Sequence, residues 1–174
     1  MVEESRRFEG SRIPDPGFAG DTGAAPASVT AALSSYAGDR RRHAETLAVL
    51  LDSRVLVPVV ALLGEVEVDE AGLAHDKSSD MATVLMTGRD GRRALLAFTG
   101  TDRLRAWDPE ARPVPATLRL AARSAIQDGA DALVIDLAGP VPFVVEGEDL
   151  TRTASGWHLG RVGEQPAWIR PPSG

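Results

Sequence analysis

The stretch Asp80–Pro115 reads DMATVLMTGRDGRRALLAFTGTDRLRAWDPEARPVP, and the rest of the chain is arranged around it. Asp90-Gly91 lies between two apolar runs, and both residues tolerate the positive φ that a tight hairpin turn requires. The run Ala94–Phe98 is almost uninterruptedly apolar, which predicts that the second strand of this hairpin is the more deeply buried one. A helical turn capped by Thr101 follows, and Pro109 prevents it from continuing.

Composition limits the classes of protein to which this chain can belong. Its 174 residues, 43% of them hydrophobic, suffice for one domain with a core. A net charge of −6 argues against a general nucleic-acid binder, because phosphate neutralisation needs a basic face. The absence of cysteine excludes disulfides, thiolate nucleophiles and cysteine metal sites. No secretory or membrane-spanning apolar run is visible, so the sequence predicts a cytoplasmic protein without membrane contact.

The chain divides into three parts by composition. Residues 1–27 are rich in Gly, Pro and acidic residues and are expected to form a flexible N-terminal arm. Deleting this arm is expected to leave the melting temperature within a few degrees. Residues 28–156 carry the periodic patterns of a folded domain, whereas residues 157–174 have none and are expected to form an irregular C-terminal tail.

Helical spacing of apolar residues appears in four places. A helix is predicted over Ser28–Tyr36 with Ser28 as its cap, and a second over residues 40–51. A third is predicted to begin at Pro115 and to end at Gly129. Its buried stripe is Leu118, Ala121, Ala122 and Ala125. A short fourth helix is predicted over Glu148–Ala154.

Strand patterns lie between these helices. Arg54–Leu63 is apolar on both faces, and Pro58 within it implies a bulge or an edge position and a change of neighbours midway. Glu65–Asp69 alternates strictly and predicts a strand with one acidic face. Ala132–Leu137 and Val141–Val145 are further predicted strands, the second at an edge. We therefore expect an α+β single domain with a mixed, largely antiparallel β-sheet on which the helices pack.

Few residues suggest chemistry. The three histidines are too scattered for a metal site, and no phosphate-binding loop or dinucleotide fingerprint is present, so no cofactor is predicted. Asp136 lies in an otherwise apolar strand, where a carboxylate must be at the strand end, paired, or shifted in pKa. It either caps the turn that follows, Ala138-Gly139-Pro140, or acts as an acid or base beside Asp80 or Arg112.

Two polar turns flank the central stretch and suit recognition, because their prolines and tryptophan make them more rigid than a connection requires. The candidate binding residues are Lys77, Ser79, Asp80, Trp107, Arg112 and Asp136. Alternatives remain open for each: a hydrophilic loop for Lys77 and Ser79, core packing for Trp107, and an ion pair of Arg112 with Asp108 or Glu110.

Several motifs in series resemble a known family. They are KSSDMATV at residues 77–84, DGRRALLAFTGTDRLRAWDPEARPVP at 90–115, GADALVID at 129–136, and AGPV at 138–141 followed by EDL at 148–150. This series resembles the SseB N-terminal domain family in its actinobacterial form, over roughly residues 45–153. The resemblance implies no catalytic residues, because the biochemical activity of that family is not established.

These patterns predict a protein-interaction or regulatory module without catalysis. The expected partner is a protein whose identity the sequence does not specify, and a homo-oligomer is left open. The alternative is a carboxylate-using hydrolase or small-molecule-binding enzyme built on Asp80 and Asp136. A concave pocket that holds both carboxylates, one of them with a raised pKa, would favour the enzyme.

Overall fold

The structure, a computed structural model, describes residues 17–62 and 80–172. Its helices are α1 (Ala27–Gly38), α2 (His43–Leu51), α3 (Thr101–Trp107), α4 (Leu118–Gln127) and α5 (Gly147–Ala154), and a 3₁₀ turn (Arg40–Arg42) precedes α2. Its strands are β1 (Arg54–Leu62), β2 (Asp80–Thr83), β3 (Leu85–Thr87), β4 (Arg93–Ala97), β5 (Arg112–Thr117), β6 (Ala132–Ile135), β7 (Phe143–Glu146), β8 (His158–Val162) and β9 (Gln165–Ile169).

The strands form three sheets, ordered β2-β1-β5, β3-β4-β6-β7 and β8-β9. Among the described strands, β4 and β6 run parallel and all other neighbours are antiparallel. The two larger sheets meet where Leu56 and Phe98 exchange both backbone hydrogen bonds, with N···O distances of 2.7 and 2.8 Å. The prediction of a single α+β domain with mixed, largely antiparallel sheets is therefore confirmed.

Strand β1 changes neighbours midway, as Pro58 predicts. Its residues from Arg54 to Val59 pair with β5, and its last four, from Val59 on, also pair with β2. The expected edge position is wrong, because β1 is the central strand of its sheet. Leu56 directs its N–H towards Phe98, and Pro58, two residues later, faces the same side of the strand. On that side the neighbour of β1 changes from β4 to β2 at Pro58, so the missing N–H of proline is tolerated there.

The third predicted helix starts later than expected. Its first residues belong instead to β5, and α4 begins at Leu118 with the Thr117 hydroxyl accepting a hydrogen bond from the Leu120 N–H at 3.2 Å. Prolines at 113 and 115 fit a strand here because β5 is an edge strand and both point away from β1. The predicted buried stripe of this helix is confirmed in full: Leu118, Ala121, Ala122 and Ala125.

The central hairpin is confirmed, but its loop is longer than a two-residue turn. Thr87 pairs with Arg93, so residues 88–92 form the loop, and in it Gly91 has a positive φ of 81°. The Asp90 carboxylate accepts a hydrogen bond from the Arg92 N–H at 3.1 Å and so stabilises the loop. The segment before the loop consists of β2 and β3 and belongs to both sheets, because β2 pairs with β1 and β3 pairs with β4.

Two apolar clusters fill the space on opposite faces of the sheets. The first lies between the sheets and helices α1, α2, α4 and α5, and includes Leu47, Leu95 and Phe143. The second lies under α3 on the opposite face, and its buried members are Leu56, Leu96, Phe98, Leu104 and Ala111. Four helices thus cover one face, whereas the short α3 covers only part of the other.

The prediction of an irregular C-terminal tail is wrong, because β8 and β9 form a hairpin. Gly163 in its turn has a φ of 63°. This hairpin packs on the domain, and the Trp168 indole N–H donates to the Asp149 carboxylate at 2.9 Å. Only part of the hairpin is buried, so its sequence shows no clean apolar period.

The described end of the N-terminal arm is also docked. Asp21 binds Arg54, and the Thr101 N–H donates to the Gly23 carbonyl at 2.8 Å. The predicted strand Glu65–Asp69 and the loop up to Ser79 lie outside the described residues. None of the helices within 17–62 and 80–172 is long and apolar enough to cross a membrane.

Candidate functional site

Asp136 lies where the carboxyl ends of the parallel strands β4 and β6 come together. It follows β6 directly, and its N–H donates to the Ala97 carbonyl of β4 at 3.0 Å. Its φ is 55°, a left-handed conformation that no other described non-glycine residue adopts. Its carbonyl accepts a hydrogen bond from the Gly139 N–H at 2.8 Å, which closes the following turn through the main chain. The side chain is therefore free to turn towards the interior.

The Asp136 carboxylate is 1% exposed and is bound by one residue, Thr99. Its Oδ1 accepts from the Thr99 N–H at 2.8 Å, and its Oδ2 accepts from the Thr99 hydroxyl at 2.6 Å. Burial raises the pKa of the Asp136 carboxyl above its usual range, although the two Thr99 hydrogen bonds and the nearby Arg103 guanidinium act in the opposite direction. The carboxyl thus links the ends of two neighbouring strands.

The cleft above Asp136 is small. Its volume is about 40 Å³, and it is lined by Thr30, Leu33, Ser34, Thr99, Arg103, Asp136, Pro140 and Val141. This volume admits a few water molecules and no substrate of ordinary size. Arg112 does not lie in its lining, and the side chain of Asp80 is outside the described part of the structure, so a pocket that holds both Asp80 and Asp136 stays a prediction.

The other predicted site residues lie elsewhere. Lys77 and Ser79 are outside the described residues, and Asp80 begins β2 opposite Leu62, with only its backbone described. Trp107 ends α3, and its ring centroid is 5.6 Å from that of Phe98, which agrees with core packing. Arg112 begins β5 and is exposed, and within the described part of the chain it makes no ion pair with Asp108 or Glu110.

A larger concavity lies on the sheet face that α3 leaves uncovered. Its volume is about 240 Å³. We call it the open sheet face and define it by its apolar lining residues Met86, Ala94, Leu96, Ala132, Val134, Leu137 and Val144. Met86 is 38% exposed and Val144 is 36% exposed, although both belong to strands of the four-stranded sheet β3-β4-β6-β7. The second apolar cluster therefore continues beyond α3 as an exposed surface.

The rim of the open sheet face carries both charges. The Arg92 guanidinium of the hairpin loop donates a hydrogen bond to the Glu146 carboxylate of β7, and this hydrogen bond raises the pKa of Arg92. Both side chains are about half exposed, at 53% and 50%. With Asp90 and Arg93, the lining carries two acidic and two basic side chains beside its apolar residues.

Sequence patterns miss the open sheet face for a physical reason. Val134 and Val144 alternate with residues that face the first cluster, so their own face also appears apolar and predicts burial. Among the described helices, α3 alone packs on this second face, and it leaves Met86 and Val144 exposed. The sequence carries no local signal for this exposure, because cover depends on which distant elements pack on that face.

Comparison with known proteins supports one assignment. The model of the SseB protein N-terminal domain matches residues 29–152, which is more than half of the chain. No curated protein and no solved structure matches the chain significantly. The matched range extends from the start of α1 into α5 and includes β1 to β7. The chain therefore belongs to the SseB N-terminal domain family.

Proposed function

We propose that this protein is a non-catalytic interaction module whose open sheet face receives an apolar side chain of a partner protein. The observation that carries the proposal is the apolar concavity of about 240 Å³ on an uncovered sheet face. Exposed apolar surface that a polar rim surrounds is typical of protein-binding sites. Insertion of one apolar anchor into such a recess is a common origin of interface affinity.

The size of the concavity favours an anchor side chain over a complete small-molecule ligand. Pockets for drug-sized ligands have volumes of about 300–1,000 Å³ and several converging polar groups. This concavity is smaller, at about 240 Å³, and two of its charged lining residues, Arg92 and Glu146, are paired with each other. An aliphatic or aromatic side chain meets these conditions.

The alternative, a carboxylate-using enzyme, has one observation in its favour, the raised pKa of Asp136. The surroundings of that carboxyl argue against catalysis. Both oxygens already accept hydrogen bonds from Thr99, and the adjoining cleft of about 40 Å³ leaves no room for a substrate. These contacts agree better with a structural link between β4 and β6.

A charged side chain in the open sheet face is expected to abolish partner binding. Val144→Asp places a carboxylate in the concavity, which an apolar anchor cannot enter without desolvating it. Val162→Asp is the matched control, because Val162 is 69% exposed on β8, outside the concavity. The measurement is affinity selection of a displayed random-peptide library on the wild-type protein, followed by titration of each selected peptide against the three proteins.

We expect selected peptides to share an apolar residue, to bind Val162→Asp like the wild type, and to lose at least about tenfold in affinity for Val144→Asp, which is about 1.4 kcal/mol. Melting curves of both variants show whether each is folded. The proposal is wrong if folded Val144→Asp binds these peptides with unchanged affinity.

A further inference from the structure

The edges of the two larger sheets are protected unequally. At β5, residue Val114 pairs with Val57, and Val57 points its backbone towards β5 because its neighbour Leu56 points towards Phe98. Pro113 and Pro115 therefore face the free edge of β5, where they offer no N–H. Prolines on an edge strand prevent another strand from pairing with it.

The edge at β7 is blocked by a side chain. The Nε2 atom of His43 lies 3.0 Å from the Val144 carbonyl oxygen, and the His43 ring stacks on Phe143 with the centroids 4.6 Å apart. Helix α2, which begins at His43, thus occupies a backbone acceptor of this edge. An additional strand cannot pair with β7 at this position without displacing the imidazole.

The third edge belongs to the segment that runs through β2 and β3. Val84 accepts a backbone hydrogen bond from the Leu96 N–H, and the Gly88 N–H donates to Arg92, so even-numbered residues point towards β4. Ala82 pairs with Val60 of β1. Val60 lies four residues after Leu56, so its backbone N–H and C=O groups also point away from β5 and towards Ala82. Odd-numbered residues from 81 to 87 consequently direct their N–H and C=O groups outwards along one continuous edge.

Within the described part of the chain, this outward edge has neither of the protections found at β5 and β7. The sequence from Met81 to Thr87 contains neither a proline nor a charged residue. Within residues 17–62 and 80–172, no additional strand pairs with it, because β2 and β3 are terminal in their sheets. Such an uncharged edge of seven residues is a template for strand addition.

We propose that this edge binds the same edge of a second copy of the chain, in an antiparallel arrangement around a two-fold axis at Val84. Outward-pointing residues must face each other in hydrogen-bonded pairs, so Thr83 faces Leu85 of the second copy, and Leu85 faces its Thr83. Val84 then lies opposite itself. This register keeps all pairs within residues 80–88 and places no two charged strand residues opposite each other, while the Asp128 carboxylate of each copy accepts a hydrogen bond from the Thr83 hydroxyl at 2.9 Å.

The pairing joins two four-stranded sheets into one that continues across the dimer. It leaves the open sheet face of each copy accessible, since that face looks outward from the sheet plane and not along its edge. Dimer formation through this edge is therefore independent of the proposed binding of a partner.

A single cysteine tests the register, because the natural chain has none. In the proposed dimer Val84 forms a non-hydrogen-bonded pair with its own copy, with Cα atoms about 4.5 Å apart, a distance that a disulfide can span. We expect Val84→Cys to form a covalent dimer under mild oxidation. Met86→Cys is the control, because the cysteines of the two copies would lie four positions out of register, about 13 Å apart along the strand. Cross-linking of Met86→Cys as fast as Val84→Cys would overturn the proposal.

The mass in solution provides a second measurement that does not depend on the cysteine variants. Light scattering of the wild-type protein is expected to give about twice the chain mass of 18.4 kDa. Thr87→Pro removes an outward N–H and is expected to give the monomer mass, whereas Thr87→Val keeps that N–H and the dimer. A monomeric wild type, or a dimer that Thr87→Pro leaves intact, would contradict the inference. Val144→Asp is expected to remain dimeric, which separates this test from that of partner binding.

Discussion

Replacing Asp136 by alanine is expected to lower the free energy of unfolding by about 3 kcal/mol. The variant leaves the buried Thr99 N–H without its acceptor, which costs about 1–3 kcal/mol. It also forces alanine into the left-handed conformation that Asp136 adopts at a φ of 55°, which costs about 1–2 kcal/mol. Urea unfolding at neutral pH measures the sum. Asp136→Gly relieves only the backbone term, so we expect its stability to lie between those of the wild type and Asp136→Ala.

Asp136→Asn is expected to behave in the opposite way. Asparagine tolerates the left-handed conformation, and its amide can accept from the Thr99 N–H and donate to the Thr99 hydroxyl oxygen. It also removes a buried carboxyl group, whose charged form burial disfavours. We therefore expect stability at neutral pH to equal or exceed that of the wild type.

The pH dependence follows from the direction of the pKa shift. Because the pKa of Asp136 is raised in the fold, the native state binds more protons than the unfolded state above the ordinary carboxyl pKa of about 4. This contribution to stability is complete below that value and is lost as the pH rises through the raised pKa. The stability of the wild type relative to Asp136→Asn should thus fall with increasing pH over that interval. If Asp136→Asn is instead as unstable as Asp136→Ala, the negative charge itself is required, with Arg103 as its counterpart.

Replacing Arg54 by alanine is the second change with a large expected effect, a loss of about 3 kcal/mol. The Arg54 side chain is 7% exposed and joins the N-terminal segment to the sheet. Its Nε and Nη2 atoms donate to the two oxygens of Asp21 at 2.6 and 2.9 Å, Nη2 also donates to the Ala24 carbonyl at 2.8 Å, and Nη1 donates to the Thr99 carbonyl. Removal of the guanidinium leaves these acceptors without a donor.

Arg54→Lys tests the geometry of this contact, because lysine keeps the charge but cannot form the two-pronged hydrogen bond to Asp21. We expect it to recover less than half of the loss in chemical denaturation. Asp21→Asn should cost less than Arg54→Ala, since the two carbonyl contacts of Arg54 persist. The hydrogen bond from Arg54 lowers the pKa of Asp21, so this contribution is present above the ordinary carboxyl pKa and is lost as the pH falls through the lowered value. Equal stabilities of wild type and Arg54→Ala would show that the segment 17–26 is not anchored through this residue. If the anchor holds, the small effect expected from deleting residues 1–27 is wrong.

The sequence by itself determined the elements whose signal is local. The apolar stripe of α4 is buried as its spacing predicts, the hairpin around Gly91 forms, and Pro142 marks β7 as an edge strand. Each of these features depends on periodicity or on the backbone preference of one residue, and both properties belong to the sequence whatever its tertiary structure. The family assignment has the same origin, because it rests on motifs in series.

Only the tertiary structure decided the features that depend on distant residues. Whether Pro58 lies at an edge depends on the strands on both of its sides, and whether Pro113 and Pro115 begin a helix or lie in a strand depends on β1. The partner of Asp136 is Thr99, 37 residues away, and not the turn next to it. The open sheet face is exposed because, among the described helices, only α3 packs on that side of the sheets, and burial is a property of the packed layers and not of a residue pattern. An apolar residue in a strand is therefore predictable from the sequence, but whether water or a helix lies above it is not.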